Sequence, residues 1–210
     1  MVGKEFEEKE GMKIRKYKDY NEYTEHQKSK LGIITWLDKY DVDYRKVLLG
    51  RLKELAIEFK GKNVLCLAAR TGTEVKAFID LGANARGIDL NPGENNKLVD
   101  KGDFHNIQKD DSSIDIVFTN SFDHSLEPYK LISEIKRILI KDGLLIMEVS
   151  RGSKDEHGSG SGSYECLEWE YVDDVVKLFQ KRGFELLNQK KFNHHGRYTW
   201  GGEQLVFTIK

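Results

Sequence analysis

Asn63-Val-Leu-Cys-Leu-Ala68 is a short apolar run that breaks at Ala69-Arg-Thr-Gly72 into a helical pattern. Further along, Gly87-Ile-Asp-Leu90 ends a second apolar run in a carboxylate, and Gly102-Asp-Phe104 sets another carboxylate after a third. Strand, tight turn, helix, strand and acid, in that order, is how an open parallel sheet presents a nucleoside pocket at the carboxyl ends of its strands. The fold class that follows is α/β, a mostly parallel sheet with helices on both faces.

Outward from this stretch the alternation continues. Residues 73–81 read as a helix with Val75, Phe78, Ile79 and Leu81 inward and Gly82 as its stop. Strands are expected at 85–89, near 98–101 and at 114–119. A helix over 128–140 carries Leu131, Ile132, Ile135, Ile138 and Leu139 and closes in a C-cap pattern at Asp142-Gly143, before a strand at 144–149. The central runs are almost continuously apolar, as expected where helices cover both faces of a parallel sheet. A helix over 171–182 then precedes strands at 184–191 and 204–209. Joined by the loop Phe192–Gly202, without a helix, these two should pair as an antiparallel hairpin. Residues 153–163 contain Gly-Ser-Gly-Ser-Gly-Ser, which is either a flexible surface connector or, at the ligand edge of the sheet, a lid.

Upstream, residues 1–60 read as an N-terminal helical segment that packs on or caps the core, and 61–210 as the nucleoside-binding domain. Residues 1–30 are charge-rich and suggest a solvated helix or a partly ordered arm. From Leu31 to about Lys60 the pattern is helical, through Ile33, Ile34, Trp36 and Leu37 and then an apolar face of Val47, Leu48, Leu49, Leu52, Leu55, Ala56 and Phe59, with Gly61 as C-cap.

With 210 residues and a formal net charge of -1, the chain has the size of one domain and lacks the bulk charge that draws a protein to nucleic acid or an anionic membrane. No apolar run approaches the roughly 20 residues of a membrane span, and the first ten residues lack the apolar core of a signal peptide. Two cysteines, one inside an apolar strand, argue against a disulfide framework and for a cytoplasmic setting. Oligomeric state is left open.

Three segments resemble the class I S-adenosylmethionine (SAM)-dependent methyltransferases, especially their small-molecule branch: Val64–Gly72, Gly102–Phe118, and Leu126-Glu-Pro128 through Val149. The resemblance spans about residues 45–210. It implies a Rossmann-like seven-stranded sheet whose last strand inserts antiparallel, SAM as cofactor, S-adenosylhomocysteine as product, and a small-molecule acceptor. It implies cofactor contacts from Ala68, Ala69, Arg70, Thr71, Gly72, Glu74, Asp89, Leu90, Asn91, Gly102, Asp103, Phe104, Asn120 and Ser121. Among these, Asp89 would take the ribose hydroxyls, and Asp103 and Phe104 the adenine. The first turn departs from the family: Cys66 stands where a carboxylate is usual, and Ala68 and Arg70 where glycines are usual. Ala68 is tolerable if its φ stays negative. Arg70 either meets the carboxylate of the cofactor's methionine part, with Glu74 serving the amino group, or points to solvent.

Asn120-Ser-Phe-Asp-His124 follows the fourth strand, where acceptor contacts are expected, so His124 and Asp123 are the candidate base or positioning groups. No metal motif is evident in the spacing of the histidines. His105 is expected to shape the cofactor pocket, and Tyr164–Glu170 either lines an acceptor pocket or forms a cap. The reading is a methyltransferase for a small or sugar-like metabolite, at oxygen. Its rivals are a non-catalytic adenosyl-binding regulatory or scaffolding relative and a nicotinamide oxidoreductase. The turn fails the Gly-x-Gly-x-x-Gly spacing of the latter.

Overall fold

The computed structural model describes residues 5–33, 37–193 and 200–209. Its centre is a seven-stranded sheet in the order β5-β4-β3-β6-β7-β10-β9. The strands are β3 (Asn63–Leu67), β4 (Asn84–Asp89), β5 (Val99–Lys101), β6 (Ile114–Thr119), β7 (Leu139–Ser150), β9 (Phe184–Phe192) and β10 (Gly202–Ile209). β3, β4, β5, β6 and β7 pair in parallel, and β10 inserts antiparallel between β7 and β9. The Rossmann-like sheet and its inverted strand are as expected.

Alternation along the strands divides the core in two. Leu65, Leu67, Val117, Leu145, Met147 and Phe207 face α4 (Pro128–Ile138) and α5 (Val172–Gln180), while Val64, Cys66, Ile116, Phe118 and Ile146 face α2 (Leu37–Lys53) and α3 (Thr73–Asp80). Both faces are covered, which is why the strands read as unbroken apolar runs. One buried acid crosses this pattern. Glu148 in β7 accepts Nε and Nη2 of Arg51 at 2.6 and 2.7 Å, the hydroxyl of Tyr44 at 2.8 Å and the amide of Gln204 at 3.1 Å, riveting α2 to the sheet.

Gly87 sets the distance between β4 and the turn after β3. A Cβ there would lie 2.7 Å from Cβ of Ala69 and 3.0 Å from Val75 and Val99. Gly87→Ala is therefore expected to cost about 1–3 kcal/mol by overpacking; an unchanged midpoint in chemical denaturation would contradict this.

Three expectations change. The first thirty residues are not a lone solvated helix: β1 (Phe6–Lys9) and β2 (Met12–Arg15) form a hairpin, and α1 (Tyr20–Ile33) follows. β2 also pairs with β8 (Leu167–Trp169), making a second, three-stranded sheet from remote parts of the chain. The long helix expected up to Lys60 is two helices, and α2 stops at Lys53, so Leu55 and Phe59 pack from a loop and Ala56 is exposed. Ile34 and Trp36 lie outside the described residues. Finally, α4 stops at Ile138 rather than at Asp142-Gly143. Leu139 is extended and pairs with Ile114, and the Asp142-Gly143 pair belongs to an irregularity inside β7. No helix among the described residues is long and apolar enough to cross a membrane.

Candidate active site

A cavity of about 510 Å³ opens at the carboxyl ends of β3, β4, β6 and β7, where the strand order reverses on either side of β3. Its other walls come from α1, which lends Tyr23, Gln27 and Lys30, and from the segment that includes Ser159–Gly162, Glu165 and Trp169.

The turn after β3 keeps a left-handed path without its usual glycines. Ala68 has φ +52°, Arg70 +46° and Gly72 +96°. The condition for Ala68 to cost little, a negative φ, is thus not met. The turn is imposed from outside: Asp89 Oδ2 accepts the Arg70 N–H at 2.8 Å, Ile88 O accepts that of Ala69 at 3.0 Å, and Ala69 O accepts that of Gly72 at 2.7 Å. Left-handed backbone costs a residue with a Cβ about 1–2 kcal/mol. Ala68→Gly should accordingly stabilise the protein by about 1 kcal/mol; a lower urea midpoint would show the strain to be absent.

Arg70 does not point to solvent. Its guanidinium lies 4.8 Å from the Tyr40 ring centre, 3.1 Å from Asp41 Oδ1 and 3.8 Å from Glu74 Oε1. Thr71 donates its hydroxyl to Asp41 as well. Glu74 is buried behind the cleft, where Asn120 donates to its Oε1 at 3.1 Å and its Oε2 has no partner. Burial pushes its carboxyl up to about 7, against the pull of Arg70. Ala68 and Arg70 line the cleft; Ala69, Thr71, Gly72 and Glu74 support it from behind.

Asp89 closes β4 at the cleft, its Oδ1 and Oδ2 each fixed by one backbone N–H, from Asn91 and Arg70, both at 2.8 Å. Each carboxylate oxygen keeps a second lone pair for a ligand hydroxyl. Ile88, Leu90, Asn91, Gly102 and Phe104 line the cavity beside it. Asp103 does not line it. Tyr20 of α1 donates to its Oδ2 at 2.5 Å and the His105 N–H to its Oδ1 at 2.8 Å. Burial alone would raise this carboxyl, but the bonds from His105 and Tyr20 hold it at about 2. His105 is itself fully buried, 2.8 Å from Ser125 Oγ, so it braces the pocket from outside.

Asn120, Ser121, Asp123 and His124 also line the cleft, the last two on a 3-10 turn (Phe122–His124) after β6. Lys30 Nζ lies 3.1 Å from His124 Nε2, and Tyr164 O lies 3.0 Å from Nδ1. An ammonium can only donate, so Nε2 accepts, and the ring proton sits on Nδ1 and goes to the carbonyl. Burial, and then the charge of Lys30, keep this imidazole neutral. Asp123 is pushed up to about 7 by burial and then by the charge of Glu165, against Lys30. Asp123, His124 and Glu165 bring one potential ligand atom each within 4.8 Å of one another, a grouping that the sequence spacing hides. Tyr23, Tyr40, Trp169 and Trp200 supply aromatic walls. His194, His195, Arg197 and Tyr198 lie outside the described residues.

The contribution of α1 was missed from sequence. Tyr20, Tyr23, Gln27 and Lys30 recur at three- and four-residue intervals, which is one helix face, but a polar face carries no apolar periodicity to flag it.

The cavity suits SAM: its size is that of a small-molecule pocket, Asp89 has lone pairs to spare, and apolar side chains flank that acid. Comparison with known proteins agrees. A family model described as a methyltransferase domain matches residues 65–147. No curated protein sequence matches the chain. Among solved structures, a SAM-dependent methyltransferase from Thermotoga maritima, described as a possible histamine N-methyltransferase, is 18% identical with a TM-score of 0.62, covering 83% of this chain and 97% of that one. A SAM-dependent methyltransferase from Aquifex aeolicus is 16% identical with a TM-score of 0.59, over 77% and 89%. The cyclase SpnF is 14% identical with a TM-score of 0.63, over 77% and 79%. At these identities the structures attest the fold alone, and the family model makes residues 65–147, which carry the turn after β3, Asp89 and the loop after β6, similar to a methyltransferase domain.

Proposed function

We propose that this chain methylates a hydroxyl of a small, sugar-like acceptor. The observation that carries the reading is Asp123, a half-buried carboxyl that lines the cleft and is raised to about 7. A group of that acidity is matched to taking a hydroxyl proton near neutral pH. Bound SAM supplies a methyl group on a positively charged sulfur, open to in-line attack.

The chain does the rest. With SAM bound, Asp89 would accept the ribose hydroxyls, Ile88, Leu90, Gly102 and Phe104 would flank the adenine, and Arg70, Asn120 and Ser121 would hold the methionine part. Asp123 receives the acceptor proton. His124 has both ring nitrogens engaged and acts by holding Lys30 and the 3-10 turn in place, which narrows the two sequence candidates to one base. Ser159–Gly162 exclude water, anchored by Arg15, whose Nε and Nη2 donate to the carbonyls of Glu165 at 2.9 Å and Gly162 at 2.7 Å. Aromatic walls beside carboxylates suit a ring with an apolar face and a hydroxylated edge.

The test is transfer of labelled methyl from SAM into a metabolite extract, with the product bond identified. Label in an ether of a hydroxylated metabolite is the expected result. Tight binding of SAM and its product with no transfer to any metabolite would overturn the reading.

A further inference from the structure

Glu74 stands in the first turn of α3, 2% exposed, and is not one of the residues that line the cleft. Its Oε1 accepts the side-chain N–H of Asn120 at 3.1 Å, and its Oε2 has no hydrogen-bond partner. Arg70 Nη2 lies 3.8 Å from Oε1 and is bonded instead to Asp41 at 3.1 Å. A glutamine at this position would bond Asn120 equally and bury no charge. What a carboxylate adds is direction. Its oxygens only accept, so the Asn120 side chain must turn its NH2 to Glu74 and its carbonyl the other way. That carbonyl oxygen accepts the Ser121 hydroxyl at 3.0 Å, and Asn120 and Ser121 both line the cleft. Of its two lone pairs, Ser121 takes one.

We propose that Glu74 is a positioning residue for the amino-acid end of the cofactor: acting through Asn120, it keeps a carbonyl acceptor turned to the cleft for the ammonium of the methionine part. The inference rests on the SAM-binding reading and goes beyond it, since the residue it assigns stands behind the wall and touches no ligand. With a protonated carboxyl or a glutamine in that place, position 74 can donate a hydrogen to the Asn120 carbonyl instead. The amide is then free to turn over, and its NH2 would meet the ammonium donor against donor.

The same geometry makes the effect depend on pH. Burial raises the Glu74 carboxyl to about 7, against the pull of Arg70. The other titratable groups around it are Tyr40, Asp41 and Tyr44 of α2 and Cys66 of β3. Burial pushes both phenols and the thiol up, so these three stay neutral through this range. Glu74 therefore ionises as pH rises through 7, and above that the outward carbonyl becomes obligatory. Asp123 titrates in the same range, but it is common to the wild type and to a Glu74 variant, so the difference between the two reads Glu74.

The test is calorimetric binding to the full chain at pH 6 and pH 8. The probes are S-adenosylhomocysteine, its deamino analogue that retains the carboxylate, and 5′-methylthioadenosine, which lacks the whole amino-acid end. Wild type should prefer S-adenosylhomocysteine over the deamino analogue by about tenfold or more at pH 8, and by less at pH 6. Glu74→Gln should cut that preference below about threefold at both pH values. Unchanged binding of 5′-methylthioadenosine by the variant would certify its folding. Asn120→Ala should lose the preference as well, and adding Glu74→Gln to it should change nothing further, because the two side chains act as one unit. A preference that survives Glu74→Gln, a wild-type preference equal at the two pH values, or a double variant weaker than Asn120→Ala alone would each overturn the proposal. So would loss of 5′-methylthioadenosine binding in Glu74→Gln, which would make the residue a support of the whole pocket. Failure of all three probes to bind wild type would instead remove the SAM-binding reading, and the proposal with it.

Discussion

Asp123→Asn should lower methyl transfer by about 10²–10⁴-fold, the range that a positioned base contributes, with SAM affinity changed less than about twofold. The asparagine keeps the shape and cannot take a proton. The pH profile supplies the sharper reading. Asp123 is raised to about 7 by burial and by Glu165, so the wild-type rate should climb as pH passes 7 and the carboxyl ionises, then level off. The variant should lose that limb. Stability should respond with the opposite sign. A carboxyl whose folded value lies above its unfolded one keeps its proton longer in the native state, so its contribution to stability declines as pH rises from about 4 to about 7. Asp123→Asn should therefore be more stable than wild type at pH 8, with the gap closing toward pH 4. A variant that retains most of its rate, or a wild-type profile flat through pH 7, would remove Asp123 from the chemistry.

The second large effect is on cofactor affinity. Asp89→Ala should weaken binding of SAM and of S-adenosylhomocysteine by at least about 10²-fold, because hydrogen bonds to a charged acceptor are worth about 1.5–3 kcal/mol each and the ribose offers two. The same substitution removes the clamp on the Arg70 N–H, so the left-handed turn should loosen. Asp89→Asn, which retains one acceptor oxygen, should fall between. Calorimetry that finds Asp89→Ala binding like wild type would place the adenosyl group elsewhere.

The sheet and the cofactor side of the cleft were legible because their signals are local. An apolar run ending at Asp89, a turn ending at Gly72 and the Asn120–His124 loop each announce a strand end, and strand ends of a parallel sheet converge. The parts that were not legible depend on remote partners. Asp103 reads like an adenine contact in any linear comparison, yet α1 brings Tyr20 onto it. The conformation of Ala68 is dictated by Ile88 and Asp89 rather than by its own preference. The C-cap pattern at Asp142-Gly143 was real turn chemistry used inside a strand, because Leu139 had already paired with Ile114. Lys30 and Glu165 meet the same cleft from segments more than a hundred positions apart, with no periodicity to join them.

The pairing of Met12 with Trp169 and of Ile14 with Leu167 has a consequence for how the molecule is assembled. Contacts between distant positions close late, since the intervening chain must first be organised. During synthesis, β3 through β7 can already be laid side by side while β2 still waits for its partner strand. The half that recognises the methyl donor is thus expected to mature before the half that selects what receives the methyl, and a nascent chain halted near residue 160 should bind nucleoside without yet discriminating among acceptors.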